Sequence, residues 1–145
     1  MILQLLAIIG FFVSIYAIII ERKASRNSGI KLFCDLNDRV SCSKVLTSKY
    51  AKMTGVIFRL RENHLLNVPN TYYGVVFYFA VFVYGYVDVP YKQYLLFVAS
   101  IVSIMACFVL AIAMYKMGTM CTVCISTYFI NLMILYGAWI EIKKS

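Results

Sequence analysis

Cysteines are the most informative residues of this 145-residue chain, and there are five of them. Cys121 and Cys124 form a C-x-x-C motif at the start of a predicted helix. Side chains three positions apart share one helical face, so the two sulfurs lie close enough to form a strained, reducible disulfide. The unpaired N–H groups and the positive dipole end of a first helical turn favour the thiolate form. The motif therefore predicts a redox-active thiol pair.

Cys34 and Cys42 form a second pair, in a long connection that leaves the same predicted membrane face as the C-x-x-C motif. The two pairs can therefore meet at one membrane surface without crossing lipid. In thiol–disulfide exchange, a thiolate attacks a disulfide and forms a mixed-disulfide intermediate. A loop pair facing a helical pair is the arrangement that such a relay requires.

Two alternatives for these four cysteines remain open. They could bind a structural zinc ion, although the C-x7-C spacing of Cys34 and Cys42 lacks the short spacing typical of zinc sites. They could also form purely structural disulfides, which are more typical of small secreted domains than of lipid-embedded bundles. The fifth cysteine, Cys107, falls midway along an apolar segment, so we interpret it as a small packing residue without a redox role.

The overall composition indicates which elements must position these cysteines. Hydrophobic residues make up 63% of the chain and charged residues 14%, with a mean hydropathy of +0.83. Soluble domains are about 45–50% apolar and about 25% charged. A soluble monomer would leave the excess apolar side chains in water, and the same numbers exclude a disordered chain. We therefore expect an integral membrane protein that forms a single domain over residues 1–145.

Four apolar stretches are candidates for membrane-spanning helices, each of which needs about 20 residues. The stretches cover residues 1–20, 71–87, 94–115 and 119–140. Charged residues follow the first stretch rather than precede it, which favours a retained helix over a cleaved signal peptide. The sequence thus predicts an all-α membrane protein, a four-transmembrane-helix bundle with one long extramembrane loop over residues 21–70.

The net charge of +8 is concentrated in that loop, because ten of the 14 Lys and Arg residues lie between Arg22 and Arg61. Apolar side chains interleave with these basic residues, a pattern typical of an amphipathic cap on anionic lipid headgroups. No nucleic-acid-binding module is recognisable, so we expect no nucleic-acid partner. The positive-inside rule would place the loop in the cytoplasm, whereas persistent disulfides require an oxidising compartment. Long loops follow that rule poorly, and we favour the oxidising side.

Three segments resemble the vitamin K epoxide reductase family. They are residues 34–45 with their C-x7-C spacing, residues 70–78, and residues 121–131 around the C-x-x-C motif. The resemblance extends over nearly the whole chain, from the first helix to just beyond Asn131. It implies a four-helix bundle that reduces a quinone, or its 2,3-epoxide, with electrons from protein thiols.

The resemblance also implies a role for each cysteine of the two pairs. Cys124 would be the thiol nearest the quinone, and Cys121 its partner in the active-site disulfide. Cys42 would attack Cys121 and pass electrons inward. Cys34 would be the outer thiol, which exchanges with a thioredoxin-like redox protein acting in trans. No tightly bound cofactor and no metal are expected.

The same resemblance implies that Asn70 and Tyr128 hydrogen-bond the quinone carbonyls and that Phe77 lines the pocket. The residue types fit, because an amide and a phenol both donate to a carbonyl oxygen that gains negative charge on reduction. Tyr128 follows Cys124 by four residues and so shares its helical face. Each polar residue also has a simpler interpretation: Asn70 as a helix N-cap, and Tyr128 as one of the aromatic residues common at membrane interfaces.

We therefore expect a membrane oxidoreductase that reduces vitamin K epoxide, vitamin K quinone or both. One alternative is a disulfide-bond-forming catalyst that oxidises partner proteins and delivers electrons to a quinone. Another is a non-enzymatic membrane protein with structural or metal-binding cysteines. The expected partners are a thioredoxin-like protein, membrane lipid and the quinone. The expected location is the endoplasmic reticulum membrane, with a bacterial or archaeal plasma membrane as the alternative.

Overall fold

The computed structural model describes residues 1–26, 39–41, 45 and 70–145. Within these ranges the chain forms four helices and no strand, apart from one isolated backbone bridge. The helices, numbered α1 to α4, are Ile2–Arg26, Asn70–Tyr84, Lys92–Met117 and Thr122–Lys144. The predicted all-α architecture is thus confirmed for the described part of the chain.

Three of these helices are long and apolar enough to cross a membrane: α1 over Ile2–Ala24, α3 and α4. Helix α2 has only 15 residues. At 1.5 Å per residue such a helix covers about 22 Å, less than the hydrocarbon thickness of about 30 Å. The prediction of four transmembrane helices is therefore confirmed for three of them, and for α2 it stays a prediction.

The helix boundaries differ from the predicted ones at both ends of the long connection. Helix α1 continues to Arg26, so the first residues of the predicted loop over 21–70 are helical. The charges that begin at Glu21 end the apolar run but not the helix, because Arg and Lys are good helix formers. Helix α2 ends at Tyr84, short of the predicted boundary, because a turn begins at Gly85. Most of the remaining loop, with its predicted amphipathic cap, lies outside the described residues.

The helices pack unevenly. Helix α1 packs along α2 and, less extensively, along α4, and α3 packs along α4, whereas α2 and α3 make few contacts with each other. Helices α1 and α2 approach closely at Gly10, where an added Cβ would collide with the Tyr78 ring. Small residues let membrane helices approach in this way. The bundle is therefore tight around α1 and loosely packed between α2 and α3.

Buried apolar side chains form two clusters at opposite ends of the bundle. One surrounds the C-x-x-C motif and includes Ala17 of α1 and Met114 of α3. The other includes Leu3, Tyr78 and Ile134. The first cluster brings the end of α1, the end of α3 and the start of α4 together at the cysteines.

Candidate functional site

A tight turn between α3 and α4 places the C-x-x-C motif at the beginning of α4. Gly118 ends α3 with a φ of 65°, a left-handed conformation that glycine adopts without strain. Cys121 is the N-cap of α4, and its Sγ accepts a hydrogen bond from the backbone N–H of Cys124 at 3.4 Å. The sulfur thus takes the acceptor role that Ser, Thr or Asp usually plays at an N-cap. The predicted position of the motif at a helix start is confirmed.

Both cysteines of the motif are buried. Cys121 has no exposed surface, and Cys124 is 7% exposed. They are present as thiols, with no disulfide between them in the described part of the chain. Apolar side chains of α1 and α3 surround them, and electrostatic interactions are stronger in such a low-dielectric environment. A reaction partner therefore has to approach the sulfurs from inside the bundle or displace the residues that cover them.

The long connection touches the motif through a backbone bridge, in which Val40 pairs in parallel with Met120. The Met120 N–H donates to the Arg39 carbonyl at 2.6 Å. The Ser41 N–H donates to the Met120 carbonyl at 2.9 Å, and Ser41 is buried. This part of the connection is therefore packed against the residue that precedes the C-x-x-C motif.

The outer cysteine pair, Cys34 and Cys42, lies outside the described residues. Its placement, the relay through it and the zinc alternative that includes it therefore stay predictions. Among the residues that the structure describes, no three His, Cys, Asp or Glu side chains come together as a metal site would require.

A cavity of about 470 Å³ lies beside Cys124, lined mostly by apolar groups from all four helices. Its volume falls in the range of about 300–1,000 Å³ that is typical of small-molecule sites. The residues predicted for a substrate pocket, Asn70, Phe77 and Tyr128, all line this cavity. Cys124 lines it as well, whereas Cys121 does not. The structure thus brings one thiol of the motif and the three predicted pocket residues around one space.

Tyr128 lies one helical turn beyond Cys124 and carries a buried polar atom. Its hydroxyl oxygen is buried and has no hydrogen-bond partner among the described residues. Leaving a buried hydroxyl unpaired costs about 1–3 kcal/mol. An acceptor within hydrogen-bond distance of this hydroxyl would remove that cost.

Asn70 is the first residue of α2, and the start of α2 is tied to the end of α1. The Thr71 hydroxyl donates to Glu21 Oε2 at 3.1 Å. The Arg22 guanidinium donates to the Tyr72 hydroxyl at 3.2 Å in a more exposed contact. These two contacts fix the point at which α2 begins and, with it, the position from which Asn70 reaches the cavity.

Sequence reasoning missed a hydrogen-bonded group at the cavity. The Tyr78 hydroxyl donates to Asn131 Oδ1 at 2.7 Å, and Asn131 Nδ2 donates to the sulfur of Cys107 at 3.1 Å. All three side chains line the cavity. The interpretation of Cys107 as an apolar packing residue was therefore incomplete, because its sulfur accepts a hydrogen bond. One signal was present: Asn131 follows Tyr128 by three residues and so shares its helical face.

Comparison with known proteins finds similarity to one protein family. The model of the vitamin K epoxide reductase family matches residues 1–139. Vitamin K epoxide reductase complex subunit 1 of Rattus norvegicus is 31% identical over 128 residues, which cover 87% of this chain and 80% of that protein. The subunit 1 of Mus musculus is 30% identical over 128 residues, with the same coverage of both chains.

Proposed function

This chain belongs to the vitamin K epoxide reductase family, and we propose that it reduces vitamin K epoxide, vitamin K quinone or both. Family membership supports a thiol-dependent quinone oxidoreductase in a membrane. The three helices that can span a membrane agree with a multi-pass membrane protein. We further propose that the membrane is that of the endoplasmic reticulum.

One observation carries the proposal: Cys124 and Tyr128 line the same apolar cavity, and the buried hydroxyl of Tyr128 has no hydrogen-bond partner among the described residues. A quinone has an apolar ring system with two carbonyl acceptors, which match an apolar wall with few polar donors. Tyr128 would donate to one carbonyl and Asn70 to the other, and Phe77 would pack against the ring. Donors aimed at an oxygen that gains negative charge stabilise the transition state.

The proposed reaction balances with the two thiols of the C-x-x-C motif. Oxidation of Cys121 and Cys124 to a disulfide releases two electrons and two protons. Reduction of a quinone to a hydroquinone consumes two electrons and two protons, and reduction of the epoxide to the quinone consumes the same and releases water. Cys124 lines the cavity and is the proposed thiol nearest the substrate. Cys121, buried behind it, is the proposed partner in the disulfide.

Regeneration of the thiols would proceed through the long connection. In the proposal, Cys42 attacks the disulfide at Cys121, and Cys34 exchanges with a thioredoxin-like protein acting in trans. The backbone bridge supports this route. It joins Ser41, which precedes Cys42 in the sequence, to Met120, which precedes Cys121.

The test is turnover of vitamin K epoxide and vitamin K quinone by the full chain in lipid nanodiscs, with dithiothreitol as reductant. Cys124→Ala is expected to abolish both reactions, because the one thiol of the C-x-x-C motif that lines the cavity would be lost and Cys121 would have no partner in the motif with which to form the disulfide. Ser126→Ala is the control, since Ser126 is exposed and its hydroxyl donates to the Thr122 carbonyl of its own helix.

Retained turnover in Cys124→Ala would contradict the assignment of this thiol. Quinone reduction without any epoxide reduction would instead favour the disulfide-forming alternative, in which a quinone is the terminal electron acceptor. No turnover of either substrate by the unmodified chain would overturn the proposed function.

A further inference from the structure

Three polar side chains from three helices form a hydrogen-bonded chain along the cavity. Tyr78 of α2 donates to Asn131 of α4 at 2.7 Å, and Asn131 donates to Cys107 of α3 at 3.1 Å. Tyr78 is 2% exposed and Asn131 is 6% exposed. The proposed electron transfer uses none of these groups. Burying a polar side chain in place of an apolar one costs folding free energy unless the polar group is hydrogen-bonded. A hydrogen-bonded set of three such side chains therefore suggests a role beyond packing.

Neighbouring contacts fix the geometry of these three hydrogen-bonded side chains. The Asn131 amide has a partner for its oxygen and one for its nitrogen, so it has one favoured orientation. The Tyr78 ring is held from behind by the backbone at Gly10, where a Cβ would collide with the ring. Phe77 packs edge-on against Tyr78, with ring centres 5.4 Å apart. Satisfied buried networks are rigid, so Phe77, which lines the cavity, is supported by the Tyr78–Asn131 hydrogen bond.

Asn131 also connects two walls of the cavity that barely touch each other. Helices α2 and α3 make few direct contacts, whereas Asn131 bonds to a residue of each. Asn131 lies on the same face of α4 as Cys124 and about 10 Å further along the helix axis. A ring held against Cys124 and Tyr128 would therefore extend toward the walls that Asn131 holds.

We propose that Asn131 is a positioning residue for substrate, which holds the Phe77–Tyr78 wall and the α3 wall at a fixed separation, and that Cys107 is the acceptor that orients its amide. This inference rests on the proposed function, because it takes the cavity to be the quinone site. It predicts that loss of the Tyr78–Asn131–Cys107 hydrogen bonds weakens substrate binding while the chemistry at Cys124 continues. The Michaelis constant should therefore rise while kcat stays nearly constant.

A matched pair of variants at Cys107 tests the acceptor. Cys107→Ala removes the sulfur, and the KM for quinone is expected to rise about threefold to tenfold, the equivalent of one lost hydrogen bond. Cys107→Ser restores an acceptor and should keep KM within about twofold of the unmodified value. Val109→Ala, at an exposed position of the same helix, is the control. Equal KM values for the Ala and Ser variants would overturn the role of Cys107.

A double-mutant cycle tests the Tyr78–Asn131 contact. Tyr78→Phe and Asn131→Leu are each expected to raise KM about tenfold, because each leaves a buried group unpaired. The double variant should raise KM by clearly less than the product of the two, since it removes both partners. A double variant whose KM rises by the full product of the two single changes would contradict the proposed coupling. Thermal unfolding in nanodiscs identifies any variant that fails to fold, and the Cys107 pair then decides.

A measurement without turnover checks that the substrate reaches this wall. The probe is a 1,4-naphthoquinone substituted at both ring carbons 2 and 3, added to a Cys121→Ser/Cys124→Ser variant that cannot reduce it. Mass spectrometry would follow modification of Cys107 by a membrane-permeable maleimide. The quinone is expected to slow this modification several-fold. An unchanged rate, together with normal turnover by the unmodified chain, would overturn the inference and leave the proposed function intact.

Discussion

Tyr128 and Cys124 show how two residues one helical turn apart can define a reaction site. The thiol and the phenol share one face of α4, because positions i and i+4 lie above each other in a helix. Both line the same apolar cavity. A donor that lacks a partner in such an environment acts more strongly on a bound oxygen than it would in water. The chemistry proposed for this protein therefore depends on a very local arrangement.

Replacing Tyr128 with Phe tests this arrangement at the residue scale. Tyr128→Phe keeps the ring and removes the hydroxyl, and kcat for quinone reduction is expected to fall about 100-fold, as for loss of a donor to a developing oxyanion. Tyr136→Phe on the same helix is the matched control, since Tyr136 is 68% exposed. Steady-state kinetics with dithiothreitol measure both. If the two variants behave alike, Tyr128 is an ordinary interfacial aromatic residue.

At the scale of elements, the junction of α1 and α2 positions one edge of the cavity. Helix α1 runs beyond its apolar segment to Arg26, and its last turns carry the charged residues that contact α2. Glu21 accepts from Thr71, the second residue of α2. If the loop began at residue 21, as the sequence predicted, Glu21 would not be held on the helix that packs against α2. The contact shows that charged residues at the end of a membrane helix can serve the next helix rather than begin a loop.

Loss of the Glu21–Thr71 contact should weaken the site through Asn70. Thr71→Val keeps the shape of the side chain and removes the donor, so we expect kcat/KM for quinone to fall about threefold to tenfold. Tyr72→Phe removes the neighbouring, more exposed contact to Arg22 and should have a smaller effect. Steady-state kinetics decide between them. A larger loss in Tyr72→Phe would show that the exposed contact, and not Thr71, positions α2.

The bridge between the long connection and the α3–α4 turn gives a second prediction at this scale. Ser41→Pro removes the N–H that donates to Met120. If the bridge to Met120 also protects the next residue, Cys121, we expect faster alkylation of Cys121 and slower turnover with a thioredoxin-like donor. Turnover with dithiothreitol should change less, because this small reductant does not need the connection. Ser41→Ala keeps the N–H and serves as the control.

Peptide mass spectrometry after brief alkylation would measure the exposure of Cys121 in these variants. The same alkylation rate in Ser41→Pro and Ser41→Ala would show that the bridge does not protect the thiol.

At the scale of the whole molecule, both ends of the bundle carry basic residues. The end that carries the cysteines also carries Arg22 and Arg26 at the end of α1. At the opposite end, Lys92 lies over the ring of Tyr84 at 5.1 Å, and Lys143 lies over a tryptophan ring at 5.4 Å. Aromatic residues paired with cations are typical membrane-interface anchors. Both ends thus have the basic residues that are typical of a membrane interface, and the orientation is open to a direct labelling test.

Labelling of Cys34 in sealed microsomes tests the orientation. If the long connection lies on the oxidising side, a membrane-impermeant maleimide should modify Cys34 only after permeabilisation. Ser145→Cys provides the control, because three membrane crossings, by α2, α3 and α4, would place the C-terminus opposite the connection. This new thiol should react in sealed vesicles. Labelling of Cys34 without permeabilisation would support the orientation that the positive-inside rule predicts.

The sequence by itself determined the features that depend on neighbouring residues. Apolar runs indicated the membrane helices, and the position of Cys121 and Cys124 after a glycine turn indicated a helix that begins at a thiol pair. Three motifs in order indicated the family, which comparison confirmed. Helix ends were less predictable, because apolar Tyr86 and Val87 continue the run beyond the end of α2.

Only the tertiary structure revealed the hydrogen bonds and the cavity between the helices. Tyr78 and Asn131 are 53 positions apart in the sequence, and Asn131 and Cys107 are 24 apart, yet they bond to each other beside the cavity. No local pattern indicates such contacts, because they depend on how the helices cross and on which faces they present. The same holds for the cavity itself, which exists because α1 and α4 bring together two helices that barely touch each other.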